Sequence, residues 1–198
     1  MKGMMMHMNT GNRRDKSKGI CLLRVWIPAI LAGAILLSGC AGNKTDKDTE
    51  TEPSAVTFEA TDIEGNQFSS DIFSDTKLTM INVWATYCNP CLQEMPALGE
   101  LSREYDSKEF QIIGVISDVQ EGADQDTIDK ASGLIEQTGA DYPHLILNES
   151  LYKAMLTEVT AVPATFFFND QGVLLDTIVG SRNKDKWKET IDALLEKQ

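Results

Sequence analysis

Two cysteines stand three positions apart in the segment WATYCNPCLQEMPAL, which spans residues 84–98. An apolar run precedes Cys88 and a helical pattern follows it, so Cys88 falls at a predicted helix N-terminus. Unpaired N–H groups there carry partial positive charge and favour a thiolate over a thiol. Pro90 fits the first helical turn, where its missing N–H costs nothing. We therefore predict that Cys88 is an exposed, attacking sulfur and that Cys91, one turn in, is a shielded, resolving sulfur.

A pair with this spacing has three common roles. A zinc site needs about four ligands. Beyond Cys40 the sequence offers only Cys88, Cys91 and His144 as thiolate or imidazole ligands. A purely structural disulfide over so short a loop would hardly constrain the unfolded chain and would therefore stabilise the fold little. The third role, a redox pair that exchanges disulfides with other molecules, is favoured by the helix start. It requires no metal and no cofactor.

A carboxylate follows the pair at Glu94. On a helical wheel with about 100° per residue, Glu94 falls inside the apolar arc that Cys91 shares with Met95, Leu98 and Leu101. In one interpretation it is a first-turn acid that complements the helix dipole while its side chain reaches water. In the other it is a partly buried carboxylate with a raised pKa that exchanges a proton with Cys91. Its negative charge would also disfavour thiolates and make the pair a weaker oxidant.

The elements that position these residues follow from the hydrophobic pattern. Five apolar segments rich in β-branched and aromatic residues predict buried strands, at residues 78–85, 110–117, 144–148, 164–170 and 173–180. Helical patterns run from the cysteines to Tyr105, around residues 128–135 and around residues 187–195. This order predicts a three-layer α/β sandwich with a mixed central sheet. Residues 55–70 predict an additional N-terminal hairpin that turns at residues 64–66.

The N-terminus has the organisation of a secretory signal. The first 24 residues carry six Lys or Arg and one Asp, and the 13 residues of Val25–Leu37 are uncharged. The stretch LLSGC resembles the lipobox of bacterial lipoproteins, which implies that Cys40 is the lipid anchor and that residues 1–39 are removed. The alternative is an uncleaved membrane span, because 18 residues from Val25 to Gly42 lack a charge and about 17–25 suffice to span. Both interpretations place the globular part outside the cytoplasm.

The segment from the anchor to residue 54 reads GNKTDKDTETEPS after Ala41, and it predicts a flexible, solvated tether. We expect residues 55–198 to form one domain. Without residues 1–39 the formal charge is −17, because six of the 18 basic and one of the 30 acidic residues are lost. Such a surface repels phosphate backbones, so nucleic acid is not an expected partner.

The cysteine segment resembles the active-site segment of the TlpA/ResA group of membrane-anchored, thioredoxin-like proteins. The similarity includes Trp84, Cys88, Cys91, Glu94 and Pro96, and it extends from about Val56 to the C-terminus. It implies a thioredoxin-like fold and a thiol-disulfide oxidoreductase. One departure is the dipeptide between the cysteines, which is Asn89–Pro90 and not the Gly-Pro of thioredoxin. Because that dipeptide helps to set the redox potential, the redox strength stays open.

The segment AVPATFFFNDQG resembles a second characteristic segment of the same group. This resemblance implies that Pro163 is a cis-proline facing the disulfide and that the backbone of Val162 pairs with the substrate. Base rates alone would favour an ordinary trans proline at the start of a strand. By the same resemblance, the substrate-contacting surface comprises Trp84, Asn89, Pro90, Val162 and Pro163.

The resemblance implies a monomeric reductase. It would take electrons from a membrane thiol carrier and reduce disulfides in exported partners, such as apocytochrome c or a surface methionine sulfoxide reductase. The first alternative is an oxidant that donates disulfides to exported proteins through the same thiols. A ligand-binding lipoprotein with an incidental disulfide is a second alternative, and a peroxidase on a related fold is a third.

Overall fold

The structure is a computed structural model that describes residues 54–198. The predicted signal peptide, the anchor Cys40 and the tether up to residue 53 lie outside the described residues. Within the described part of the chain, no helix is long and apolar enough to cross a membrane.

A five-stranded mixed sheet forms the middle layer and follows the two strands of the N-terminal hairpin, β1 (Glu59–Thr61) and β2 (Gln67–Ser69). Its strands are β3 Leu78–Trp84, β4 Phe110–Gln120, β5 His144–Leu147, β6 Ala164–Asn169 and β7 Leu174–Val179. They lie in the order β5-β4-β3-β6-β7. The parallel pairs are β3 with β4 and β4 with β5, whereas β6 runs antiparallel to both β3 and β7. Strand β3 is central and buried throughout, as its apolar sequence predicts.

Three helices cover one face of the sheet: α1 (Asn89–Glu104), α2 (Gln125–Thr138) and α4 (Lys184–Leu195). Both parallel crossovers, β3-α1-β4 and β4-α2-β5, extend the sheet in the same direction, so right-handed connections place α1 and α2 on the same side. The buried residues of this layer include Met95 and Leu98 from α1 together with Trp187 and Ile191 from α4. They pack against Met80 and Trp84 of the sheet.

The opposite face is covered by short elements. An antiparallel hairpin of β1 (Glu59–Thr61) and β2 (Gln67–Ser69) leads into a 3₁₀ helix at Ser70–Asp75. A short helical segment, α3 (Glu149–Leu151), continues as a π-helical turn at Tyr152–Leu156. The apolar pattern did not predict this segment, because it is too short to show helical periodicity. The predicted α/β sandwich, its mixed sheet and its N-terminal hairpin are confirmed.

The contact between α1 and the end of α2 depends on a glycine. A Cβ built on Gly99 would lie 2.1 Å from the carbonyl oxygen of Gly139, so any side chain there would displace backbone. Gly139 itself ends α2 in the left-handed region, with φ of 62°, where glycine is favoured. This close approach fixes α1, and with it the cysteines at its N-terminus, against the rest of the helical layer.

Candidate active site

The two cysteines lie at the junction between strand β3 and helix α1. Strand β3 ends at Trp84, a tight turn follows in which the N–H of Cys88 donates to the carbonyl of Ala85 at 3.0 Å, and α1 begins at Asn89. Cys88 and Cys91 form a disulfide with an S–S distance of 2.03 Å. Cys88 is also the N-cap residue, since its sulfur accepts from the backbone N–H of Cys91 at 3.3 Å. A thiolate on Cys88 would gain from the same N–H and from the helix dipole.

The order of exposure agrees with the prediction, but the extent does not. Cys88 is 6% exposed and Cys91 0%, so Cys88 is the accessible sulfur of the pair. The prediction of an exposed Cys88 was nevertheless wrong in degree, because surrounding residues bury most of it. Its neighbours Tyr87, Asn89 and Pro90 are exposed, and Tyr87 reaches 71%. These three residues form an exposed rim beside Cys88, and Tyr87 was not among the site residues predicted from the sequence.

Glu94 is buried one helical turn beyond Cys91, with 3% exposure. Its carboxylate accepts three hydrogen bonds: from Nδ2 of Asn82 at 3.1 Å, from the backbone N–H of Arg182 at 3.0 Å and from Nε1 of Trp187 at 3.3 Å. Burial raises the pKa of the Glu94 carboxyl above its ordinary value of 4.5, although each of the three donors acts to lower it. Of the two interpretations of Glu94, the structure agrees with the buried carboxylate and not with a side chain that reaches water.

Asn82 and Thr165 complete this polar network, and neither was among the residues predicted from the sequence. They face each other across β3 and β6, and Nδ2 of Asn82 donates to Oγ1 of Thr165 at 3.1 Å. Both are fully buried, and Oδ1 of Asn82 has no hydrogen-bond partner. The available signal was a single amide in the middle of an apolar strand, LTMINVW, since a buried polar group implies a specific partner.

The prediction that Trp84 contacts the substrate was wrong. Trp84 is 0% exposed, and its indole N–H donates to Nδ1 of His144 at 3.0 Å. Nε2 of His144 therefore carries the ring hydrogen and donates to the carbonyl of Ala140 at 3.0 Å. Because Trp84 is the last residue of β3, this bond instead fixes the end of the strand that leads into the cysteine turn.

A second set of contacts holds the turn itself. Asp118 accepts from the backbone N–H of Thr86 at 2.9 Å and from its hydroxyl at 2.6 Å. Lys130, on α2, donates to the same hydroxyl at 3.0 Å. The segment between β3 and Cys88 is thus bonded to β4 and α2, which limits its movement when the sulfurs react.

The segment around Pro163 has the backbone geometry that the resemblance implies. The Val162–Pro163 peptide bond is cis, and the carbonyl of Pro163 accepts from the N–H of Gly180 at 2.8 Å. Pro163 is buried, whereas Val162 is half-buried and Ala161 before it is exposed. The backbone ahead of the proline is therefore accessible in part.

The functional groups of the site suit thiol–disulfide exchange. Among residues 54–198, no group of three or more His, Cys, Asp or Glu side chains is placed to hold a metal ion. What the geometry provides is an accessible sulfur at a helix N-terminus, a buried sulfur bonded to it and a buried carboxyl one turn away. These groups can open and close a disulfide and move the accompanying proton.

Comparison with known proteins identifies the family. The model of the AhpC/TSA family matches residues 52–177. Thiol-disulfide oxidoreductase ResA of Bacillus thuringiensis (strain Al Hakam) is 29% identical over 171 residues, covering 85% of this chain and 93% of the relative. Thiol:disulfide interchange protein HelX of Rhodobacter capsulatus is 30% identical over 144 residues, covering 73% of this chain and 75% of the relative.

A solved structure supports the fold. A thiol:disulfide interchange protein of the thioredoxin family from Chlorobium tepidum TLS superimposes with a TM-score of 0.62 at 23% identity, covering 74% of this chain and 99% of that chain. The names of the two relatives and the disulfide at the start of α1 agree on thiol–disulfide chemistry. The chain belongs to the AhpC/TSA family, and it is a ResA-like thiol-disulfide oxidoreductase with a thioredoxin fold.

Proposed function

We propose that the protein is an extracytoplasmic reductase, held at the membrane by a lipid on Cys40, that reduces disulfides in exported proteins. The observation that carries the reducing direction is the buried Glu94 carboxyl one turn beyond Cys91. A negative charge held there disfavours thiolates at the helix start. It thereby favours the disulfide form of the pair over the dithiol, so the dithiol gives up its electrons readily.

The reaction starts from the dithiol. The thiolate of Cys88 attacks one sulfur of the partner's disulfide, which forms a mixed disulfide and releases the partner's other sulfur as a thiolate. Cys91 gives its proton to Glu94 and, as a thiolate, attacks the sulfur of Cys88. The partner's second sulfur leaves as a thiolate and takes up a proton. The partner gains two electrons, and Cys88 and Cys91 form a disulfide.

A membrane thiol carrier then restores the dithiol and becomes a disulfide itself. In the encounter with the partner, the exposed Asn89 and Pro90 form the rim around Cys88. The backbone of Val162, before the cis Pro163, pairs with the polypeptide that carries the disulfide. The proposed partners, whose disulfides the protein reduces, are apocytochrome c or a surface methionine sulfoxide reductase. The protein acts as a monomer, because one chain contains every group that the exchange uses.

The redox state of the pair in living cells tests the direction. Cells are quenched with acid and treated with a high-mass thiol reagent, so that each free thiol slows migration on a gel. A reductase is held mainly as the dithiol, and both Cys88 and Cys91 become labelled. A pair found mainly as the disulfide would contradict the reductase and support the alternative, an oxidant. The double variant Cys88→Ser, Cys91→Ser marks the position of the unlabelled protein.

A further inference from the structure

Glu94 is surrounded by donors that suit only its ionised form. The backbone N–H of Arg182 and the indole N–H of Trp187 donate to it, and neither group can accept a hydrogen bond. When Glu94 binds a proton, its new O–H needs an acceptor. Of the side chains and backbone groups bonded to this carboxyl, only the amide of Asn82 can both donate and accept.

The amide of Asn82 has an unused acceptor. Nδ2 donates to Glu94 and to Thr165, each at 3.1 Å, while Oδ1 is buried without a partner. A buried acceptor left unpaired is uncommon and costs free energy. A half-turn of the amide would exchange the two atoms without moving the strand. Oδ1 would then face Glu94 and Thr165, whose hydroxyl can donate as well as accept.

We propose that Asn82 is a positioning residue whose amide donates to the Glu94 carboxylate and, after a half-turn, accepts the O–H of the Glu94 carboxylic acid. The inference rests on the proposed function, in which Glu94 exchanges a proton with Cys91. When Cys91 becomes a thiolate, its proton moves to a Glu94 oxygen and the amide turns to accept that O–H. When the thiol forms again, the proton returns to sulfur and the amide turns back.

Two other titratable side chains at this site, Tyr142 and His144, keep one state near neutral pH. Burial and the charge of Glu94 raise the pKa of Tyr142, so its hydroxyl stays neutral. Burial lowers the pKa of His144 to about 4, so its ring stays neutral as well. The guanidinium of Arg182 lies 5.4 Å from the ring centroid of Trp187. Lys184 pairs with Glu100 and Glu104 on the exposed side of α1.

The test follows the midpoint potential of Cys88/Cys91 against pH, with dithiothreitol as the redox buffer. In the wild-type protein the curve changes slope where Glu94 titrates, and Glu94→Gln abolishes that change. Asn82→Leu removes both bonds of the amide to Glu94, of which the charge-assisted bond to the carboxylate is the stronger. We therefore expect the change of slope to move up by about one pH unit, a tenfold gain in proton affinity. An unmoved change of slope in Asn82→Leu would overturn the inference.

Thr79→Val is the matched control. Thr79 is a fully buried polar residue of the same strand, and its hydroxyl accepts from Gln111 and not from the Glu94 network. Its substitution should leave the change of slope in place. A shift as large as that of Asn82→Leu would show a general effect of strand damage and overturn the inference.

A second measurement on the wild-type protein does not depend on whether Asn82→Leu folds. In ¹⁵N-labelled protein, the side-chain NH₂ signals of Asn82 should shift with the same midpoint as Glu94, and this shift should vanish in Glu94→Gln. Signals that stay constant through the titration of Glu94 would contradict the half-turn. A wild-type pair that does not exchange with dithiothreitol at all would instead contradict the proposed function, and this inference with it.

Discussion

The indole nitrogen of Trp84 donates to Nδ1 of His144 at 3.0 Å, and this bond joins the end of the central strand to the start of an edge strand. His144 can accept it only while Nδ1 is free of a proton. The ring lies directly against Gly114, where an added Cβ would come within 2.1 Å of Nδ1, so only glycine fits beside it. The fold therefore requires a neutral His144.

This requirement predicts a loss of stability in acid. Burial lowers the pKa of His144 from 6.5 to about 4, so between these values the unfolded chain binds a proton that the folded chain excludes. The free energy of unfolding should fall by about 3 kcal/mol as the pH drops from 6.5 to about 4, and then level off. Urea unfolding at a series of pH values measures it.

His144→Asn is the reference variant for that measurement. It lacks the titrating ring, so the difference between wild type and variant isolates the contribution of His144. Glu94 acts in the opposite direction, because its raised pKa contributes stability that is lost as the pH rises above 4.5. A wild-type curve that parallels that of His144→Asn would contradict the prediction.

Glu94→Gln should make the cysteine pair a stronger oxidant. Without the negative charge, thiolates near the start of α1 are less disfavoured, so the reduced form gains stability. A tenfold change in the equilibrium corresponds to about 30 mV for two electrons, and we expect an increase of at least about this size near pH 7. Glu100→Gln, an exposed acid on the same helix, is the control. An unchanged or lower potential in Glu94→Gln would contradict the role of its charge.

Cys91→Ser should trap partners on Cys88. Without the resolving sulfur, the mixed disulfide cannot be released by internal attack. Non-reducing gels of acid-quenched cells should show adducts that dithiothreitol removes, and mass spectrometry then identifies the partners. The double variant Cys88→Ser, Cys91→Ser should form none. Cys88→Ser alone should abolish disulfide reduction, whereas a ligand-binding lipoprotein would keep its function.

The proposed anchor is tested at Cys40. Cys40→Ala should prevent lipidation, so the protein should no longer be retained at the membrane through a lipid. Cell fractionation and incorporation of labelled fatty acid measure this, with Cys21→Ala, inside the proposed signal peptide, as the control. If Cys40→Ala stays in the membrane and wild type incorporates no fatty acid, the uncleaved span is the better account.

Much of the fold could be predicted because it depends on local pattern. Strand β3 is a nearly continuous apolar run, helix α1 has an apolar face at helical spacing, and the helical wheel correctly placed Glu94 among Cys91 and Leu98. The N-terminal hairpin was predicted from the turn residues around Gly65, whose φ is 92°. These features require no knowledge of distant contacts.

The errors concern contacts between residues far apart in the chain. Trp84 was assigned to the substrate surface, but its partner His144 is 60 positions away. Asn82 was overlooked because its role depends on Thr165, 83 positions away, and on Glu94 across the helix–sheet contact. The exposure of Cys88 was overestimated because sequence alone does not show how closely surrounding loops pack. Each of these depends on tertiary packing, which single-sequence patterns do not encode.

The midpoint potential of the Cys88/Cys91 pair is the most direct test of the account. It is measured on the purified domain by equilibration with defined ratios of reduced and oxidised dithiothreitol, followed by thiol counting. A pair poised to deliver electrons should titrate near the lower end of the range found in this fold, about −270 mV. A value near the upper end, about −120 mV, would contradict the reductase and identify a protein that donates disulfides.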